Sequence, residues 1–85
     1  GHSNKKPLFY TKDLKVSEYS VISGKTGDHL KLFLRSGNLG FEAIGFGLGK
    51  EKIEVNDKIS VAFYAERNNW NGNSKFQLVI KDFKN

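Results

Sequence analysis

The sequence predicts an all-β domain whose five strands close into a small barrel. Three observations predict it: apolar residues alternate with polar ones in several segments, glycine and asparagine turns separate these segments at short intervals, and no segment has a strong helical periodicity. The 85 residues suffice for one small domain. A flat sheet of this size would leave one apolar face and two edges uncovered, so a closed barrel is favoured.

The first predicted strand, Lys12 to Ser23, is long and changes phase along its length. Leu14 and Val16 share one parity, whereas Tyr19 and Val21 share the other. A shift of this kind indicates a bulge or bend, which lets a single strand serve two sheets.

The residues before this strand, 1–11, are assigned to a separate segment. Gly1-His2-Ser3 is interpreted as a tag remnant, and the polar, basic residues after it as a flexible lead. Its last residues, Leu8-Phe9-Tyr10, are apolar enough to dock on the domain. The single domain is predicted to span 12–85.

The second predicted strand, His29 to Arg35, has the clearest pattern in the chain. Leucines at every second position predict a core-facing side that consists of Leu30, Leu32 and Leu34. The opposite side displays Phe33 between two cations, Lys31 and Arg35. Because the wet side of a purely structural strand normally carries small or charged groups, an aromatic ring between cations indicates a nucleic-acid surface.

Three further strands complete the count. The third, Leu39 to Phe46, is partly apolar on both sides, so its inward face stays open. The fourth is Lys58 to Ala65, and a polar loop, Glu66 to Ser74, separates it from the fifth, Lys75 to Lys81. In the fifth strand the residues predicted to face inward are Phe76, Leu78 and Ile80.

The connections refine the fold class. The segment between the third and fourth strands is predicted to hold at most a short helix or turn, and Gly45 to Lys50 matches neither common phosphate-loop pattern. With the long bent first strand and the Asn56-Asp57 turn before the fourth, these features favour an OB-fold-type Greek-key barrel. An SH3-like barrel is the alternative.

Composition limits the function classes. The net charge of +5 and the pI near 9.6 favour an anionic partner, although surplus surface lysines would give the same values. The chain has no cysteine, which excludes disulfides and cysteine-ligated zinc, and no apolar run long enough to span a bilayer. His29 has Asp28 beside it, but one Asp next to one His is not a multi-carboxylate site that could hold a pair of metal ions, so no metal site is predicted.

OB barrels bind oligonucleotides over their second and third strands and over the loops that flank them. Mapped onto this sequence, that surface contains seven candidate residues: Lys25, Lys31, Phe33, Arg35, Arg67, Trp70 and Lys75. The cations would neutralise phosphates and the rings would stack on bases without reading sequence. Alternatives stay open, because Phe33 could be covered by Leu8-Phe9-Tyr10 or a neighbouring domain, and Trp70 could close the barrel end.

Several segments, in this order and spacing, resemble the OB domain of the bacterial single-strand-specific exonuclease RecJ. They are Gly24-Lys25, His29 to Leu32, Phe41 to Gly47, Asn69 to Gly72 and Phe76 to Asp82. The resemblance implies a fragment of a nuclease that degrades single-stranded DNA from the 5′ end in repair and recombination. It also implies that catalytic DHH-type domains elsewhere in the parent chain hold the divalent metal, Mg or Mn.

These observations lead to two hypotheses of function. The first is a non-catalytic domain that binds single-stranded DNA for the parent enzyme, and the second is an interdomain or protein–protein interaction module. No nucleophile–base pair or cluster of metal ligands occurs in the sequence, so we expect no catalytic residue and no cofactor in this chain. A cytoplasmic monomer without a membrane partner is expected.

Overall fold

The computed structural model describes residues 6–70 and 72–85, except for the side chains of residues 68–70, 73 and 74. Five strands account for most of this part of the chain: β1 (Phe9–Gly24), β2 (Gly27–Ser36), β3 (Leu39–Gly45), β4 (Lys58–Trp70) and β5 (Asn73–Lys84). No helix occurs among the described residues, and therefore none there that could cross a membrane. The all-β prediction is confirmed.

The strands form a closed barrel in the order β1-β2-β3-β5-β4, with β4 returning to pair with β1. All neighbours are antiparallel except β3 and β5, which pair in parallel through Ala43 and Ile44. Closure leaves the sheet without the two long free edges of a flat arrangement. The predicted five-stranded barrel is confirmed.

The long first strand reaches two neighbours because its register shifts. Lys15 is the last residue that pairs with β4 and the first that pairs with β2. Between Val16 and Glu18 one extra residue, Ser17, forms a bulge against β2, which explains the change of phase seen in the sequence. β1 begins at Phe9 and not at Lys12, because Phe9 to Thr11, assigned from the sequence to the lead, pair with β4.

The core occupies the inside of the barrel. Leu30, Leu32 and Leu34 of β2 are buried, as their alternation predicts. β3 turns Ala43 inward and packs Phe41 against the core, which settles the face that the sequence left open. The remaining buried apolar residues come mainly from β1, β4 and β5: Leu14, Val16, Ile53, Ile59, Val61, Ala62, Leu78 and Ile80.

The predicted inward position of Phe76 is wrong. Leu78 and Ile80 are buried as expected, but Phe76 is 62% exposed. The cause is the length of the β4–β5 hairpin: the segment predicted as a polar loop is mostly paired strand, from Glu66 opposite Gln77 to Trp70 opposite Asn73. Phe76 therefore keeps the parity of the core residues but lies on a hairpin arm beyond the barrel interior.

The connector between β3 and β4 is held to the barrel by backbone and side-chain contacts. Gly49 donates its N–H to the carbonyl of Asp28, at 3.1 Å, and a Cβ at Gly49 would lie 2.6 Å from the Cβ of Asp28. Ile53 contributes a buried side chain to the core. The connector contains turns and no helix, within the range that the sequence predicted.

Candidate nucleic-acid interface

The outer face of β2 carries the central three of the predicted site residues. Because Leu30, Leu32 and Leu34 point inward, the residues between them point outward. Lys31 and Arg35 are exposed, and Phe33 is half-buried. We call Lys31, Phe33 and Arg35 together the β2 outer face. The predicted arrangement of one ring between two cations is present there.

The Phe33 ring is placed by a glycine on the next strand. A Cβ at Gly40 of β3 would lie 2.5 Å from Cζ and 2.8 Å from Cε2 of Phe33, well inside the separation of carbon atoms in contact. The ring therefore lies against the backbone of Gly40 and covers it. The N-terminal segment does not provide this cover through Phe9, whose ring packs on Phe63 of β4 at 5.8 Å.

Carboxylates flank Phe33 on both sides, which the sequence did not indicate. Glu18 of β1 and Glu42 of β3 are its direct partners in the two antiparallel pairings. Side chains in such positions have Cβ atoms about 4.5–5.5 Å apart. The β2 outer face thus has a cation at each end, and the neighbouring strands place a carboxylate on each side of its centre.

Lys31 borders a shallow groove. Its direct partners are Ser20 on β1 and Ile44 on β3, and neither carries a charge. The groove has a volume of about 330 Å³ and continues past Tyr19 toward Phe33 and Glu42. Lys31 is therefore free to neutralise an anion lying in the groove, whereas the far end of the groove is acidic.

His29 has a structural role at the start of β2. Its Nδ1 accepts a hydrogen bond from the backbone N–H of Gly47 at 2.9 Å, and its ring meets the edge of Phe46 with centroids 5.3 Å apart. Both contacts tie the β3–β4 connector to β2. Among the described residues no group of three potential metal ligands occurs, at His29 or elsewhere.

The other four predicted site residues lie on the β1–β2 and β4–β5 hairpins. Lys25 is in the two-residue turn between β1 and β2. Arg67 pairs with Phe76, and its guanidinium lies over that ring at 5.0 Å from the centroid. Lys75 pairs with Asn68 and so lies on the other face of the β4–β5 hairpin from Arg67. The side chain of Trp70 lies outside the described residues.

Phe76 is a candidate that the sequence did not reveal. Alternation placed it with the core, yet it is exposed and already carries a cation on its ring. An exposed ring next to an arginine is suited to stack on a base while the arginine contacts a phosphate. The length of the hairpin, which decides its exposure, has no clear signal in the asparagine-rich stretch around Trp70.

Comparison with known proteins agrees with this architecture. The family model described as "RecJ OB domain" matches residues 1–82. No curated protein matches the chain. Solved structures with the same fold include the SSB domain of a Synechococcus sp. protein, which has a TM-score of 0.76 and 9% identity and covers 100% of both chains.

Two further structures of the same fold are proteins that bind single-stranded DNA. The mitochondrial single-stranded DNA-binding protein of S. cerevisiae has a TM-score of 0.69 and 14% identity, with 94% of this chain and 95% of that chain covered. The small single-stranded DNA-binding protein of Streptomyces coelicolor has a TM-score of 0.71 and 7% identity, with 96% and 94% covered. At these identities the likeness shows the fold.

Proposed function

This chain belongs to the RecJ OB domain family, and from that premise we propose that it binds single-stranded DNA for a 5′-to-3′ exonuclease of the RecJ type. The observation that carries the proposal is the β2 outer face, where an aromatic ring held on Gly40 lies between two exposed cations. The single-stranded DNA-binding proteins that share the fold support it. In this proposal the domain is not itself catalytic.

Binding follows from the chemistry of the face. Lys31 and Arg35 neutralise backbone phosphates, and Phe33 offers a ring on which a base stacks, worth about 1–3 kcal/mol per base. Neither phosphate neutralisation nor stacking on a ring depends on the identity of the base, so in this proposal binding is not sequence-specific. Glu18 and Glu42 repel phosphates from the centre of the face, which keeps the backbone near its two ends.

We assign catalysis to other domains of the parent chain. The described residues offer no cluster of three metal ligands, and a divalent-metal nuclease needs such a cluster. The parent enzyme's DHH-type domains, which the family relationship implies, would hold Mg or Mn and cleave the strand in repair and recombination. This domain, acting as a cytoplasmic monomer, would retain the strand near that centre.

A second candidate function is an interaction module that packs on the rest of the enzyme or on a protein partner. The observation in its favour is the set of exposed apolar side chains: Phe46 and Phe76 are 60% and 62% exposed, and Leu39 is 63% exposed. Such residues are common in protein interfaces. This function predicts that the domain does not bind DNA and that its partner buries these side chains.

Fluorescence anisotropy with labelled oligo-dT at several salt concentrations tests the proposed function. The unmodified domain should bind, and affinity should fall with salt by about 0.7 logarithmic units per phosphate neutralised for each tenfold increase. The double variant Lys31→Ala/Arg35→Ala should bind more weakly, with a slope smaller by about 1.4. The same titration with duplex DNA of equal length measures the preference for single strands, and titration with RNA measures the preference for DNA.

Lys50→Ala/Lys52→Ala is the matched control, since it removes two exposed cations from the β3–β4 connector. It should leave both the affinity and the slope nearly unchanged. Absence of binding by the unmodified domain at low salt would refute the proposed function and favour the interaction module. Equal losses in both double variants would mean that net charge, and not the β2 outer face, determines binding.

A further inference from the structure

Three cations form a row across the strands on the outside of the barrel. Lys15 of β1 pairs directly with Arg35 of β2 on one side and with Lys58 of β4 on the other. Lys15 lies between buried Leu14 and Val16, so its side chain points outward, as do those of its two partners. We call Arg35, Lys15 and Lys58 the cation row.

The cation row is exposed and unneutralised. Adjacent strands are about 4.8 Å apart, so the row spans about 10 Å perpendicular to the strands. None of the three cations forms an ion pair within the described part of the chain, where the ion pair found is Lys6 with Glu66. The carboxylate of Asp57, next to Lys58 in sequence, accepts the N–H of Glu54 at 2.9 Å.

Placing like charges directly opposite each other in a sheet is unfavourable for folding. The row contains two such pairs, Lys15 with Arg35 and Lys15 with Lys58. A bound anion would relieve both repulsions at once, because all three side chains could approach the same chain of negative charges. Binding of an extended polyanion to the cation row should therefore stabilise the folded domain.

We propose that the cation row binds the phosphate backbone of the same DNA strand after it leaves the β2 outer face and crosses β1 toward β4. The inference rests on the proposed function and extends it, because Arg35 belongs to both surfaces. That shared residue, and the direction of the row away from β3, favour a continuous nucleic-acid strand over an acidic protein partner. Lys15 and Lys58 thereby join the binding surface.

The test compares Lys15→Gln/Lys58→Gln with the control Lys50→Gln/Lys52→Gln on two lengths of oligo-dT, about 4 and about 16 nucleotides, which bracket the span of one OB domain. The first variant should weaken binding of the long oligonucleotide and lower its salt slope by about 1.4. The ratio of the affinity of the unmodified domain to that of the variant, for the long oligonucleotide, should fall about sevenfold between about 50 and 200 mM salt. The short oligonucleotide and the control variant should show little change.

Thermal unfolding supplies a readout that a structural role would not give. Because the substitutions remove like-charge repulsion, Lys15→Gln/Lys58→Gln should keep or raise the midpoint of unfolding while it weakens binding. Unchanged affinity and salt slope for the long oligonucleotide would refute DNA binding by the cation row without refuting the proposed function. That result would favour an acidic protein as the partner of the row. Failure of the unmodified domain to bind any DNA would overturn the proposed function and the row with it.

Discussion

Replacing Gly40 by alanine should displace the Phe33 ring with little change in overall stability. The new Cβ would lie 2.5 Å from Cζ of Phe33, whereas carbon atoms in contact are about 3.5–4.0 Å apart, so the ring must move by about 1 Å. Leaving its rotamer minimum costs about 0.5–1.5 kcal/mol. Gly40 does not have a positive φ, so alanine also lowers the entropy of the unfolded chain, which stabilises by about 0.4–1 kcal/mol.

These opposing contributions make a double-mutant cycle informative. In the Phe33→Ala background the clash is absent, so Gly40→Ala should stabilise the domain by about 0.4–1 kcal/mol. In the unmodified background the same change should be close to neutral. The coupling free energy between the two positions is therefore about 0.5–1.5 kcal/mol, measurable by urea unfolding followed by circular dichroism.

Binding gives the functional half of the same experiment. If the ring stacks on a base from its position over Gly40, moving it should lose part of the 1–3 kcal/mol that one stacked base contributes, or about three- to tenfold in affinity. Gly40→Ala should then approach the affinity of Phe33→Ala. An equal effect of Gly40→Ala on stability in both backgrounds would refute the packing of the ring on Gly40, and an unchanged affinity would remove Phe33 from the interface.

Three other perturbations should give distinct results. Glu18→Gln/Glu42→Gln should raise the affinity for oligo-dT several-fold in anisotropy titrations at low salt, because both carboxylates repel phosphate beside Phe33. His29→Ala should lower the free energy of unfolding by about 1 kcal/mol in urea, since the N–H of Gly47 loses its acceptor. Leu34→Ala should cost about 2–5 kcal/mol in the same assay, because its side chain is fully buried.

The parts of the fold that depend on local pattern could be predicted from the sequence. Alternation identifies Leu30, Leu32 and Leu34 as core residues because a strand that is buried on one side repeats every two residues. The change of parity between Val16 and Tyr19 indicates the bulge, because no regular strand can place both on the same face. These features need no knowledge of which strands are neighbours.

Features that depend on pairing could not be predicted in this way. Phe76 has the parity of a core residue, and its exposure follows from the length of the β4–β5 hairpin, which pattern alone does not set. The carboxylates beside Phe33 are equally hidden, because Glu18 and Glu42 lie on other strands. A candidate site drawn from one strand thus identifies the ring and the cations but not the groups opposite them.

The bulge at Ser17 shows how one residue determines the charge of the proposed interface. Lys15 pairs with Arg35, so in a regular ladder the partner of Phe33 would be Ser17, and Lys31 would lie beside Tyr19. The extra residue shifts every later position by one, so that Glu18 and Ser20 take those places. Lys15 precedes the bulge, so its pairing with Arg35 and Lys58 is not shifted. Phosphate is therefore repelled beside Phe33 and attracted across β1, which makes the cation row the favoured continuation of a strand bound at Arg35.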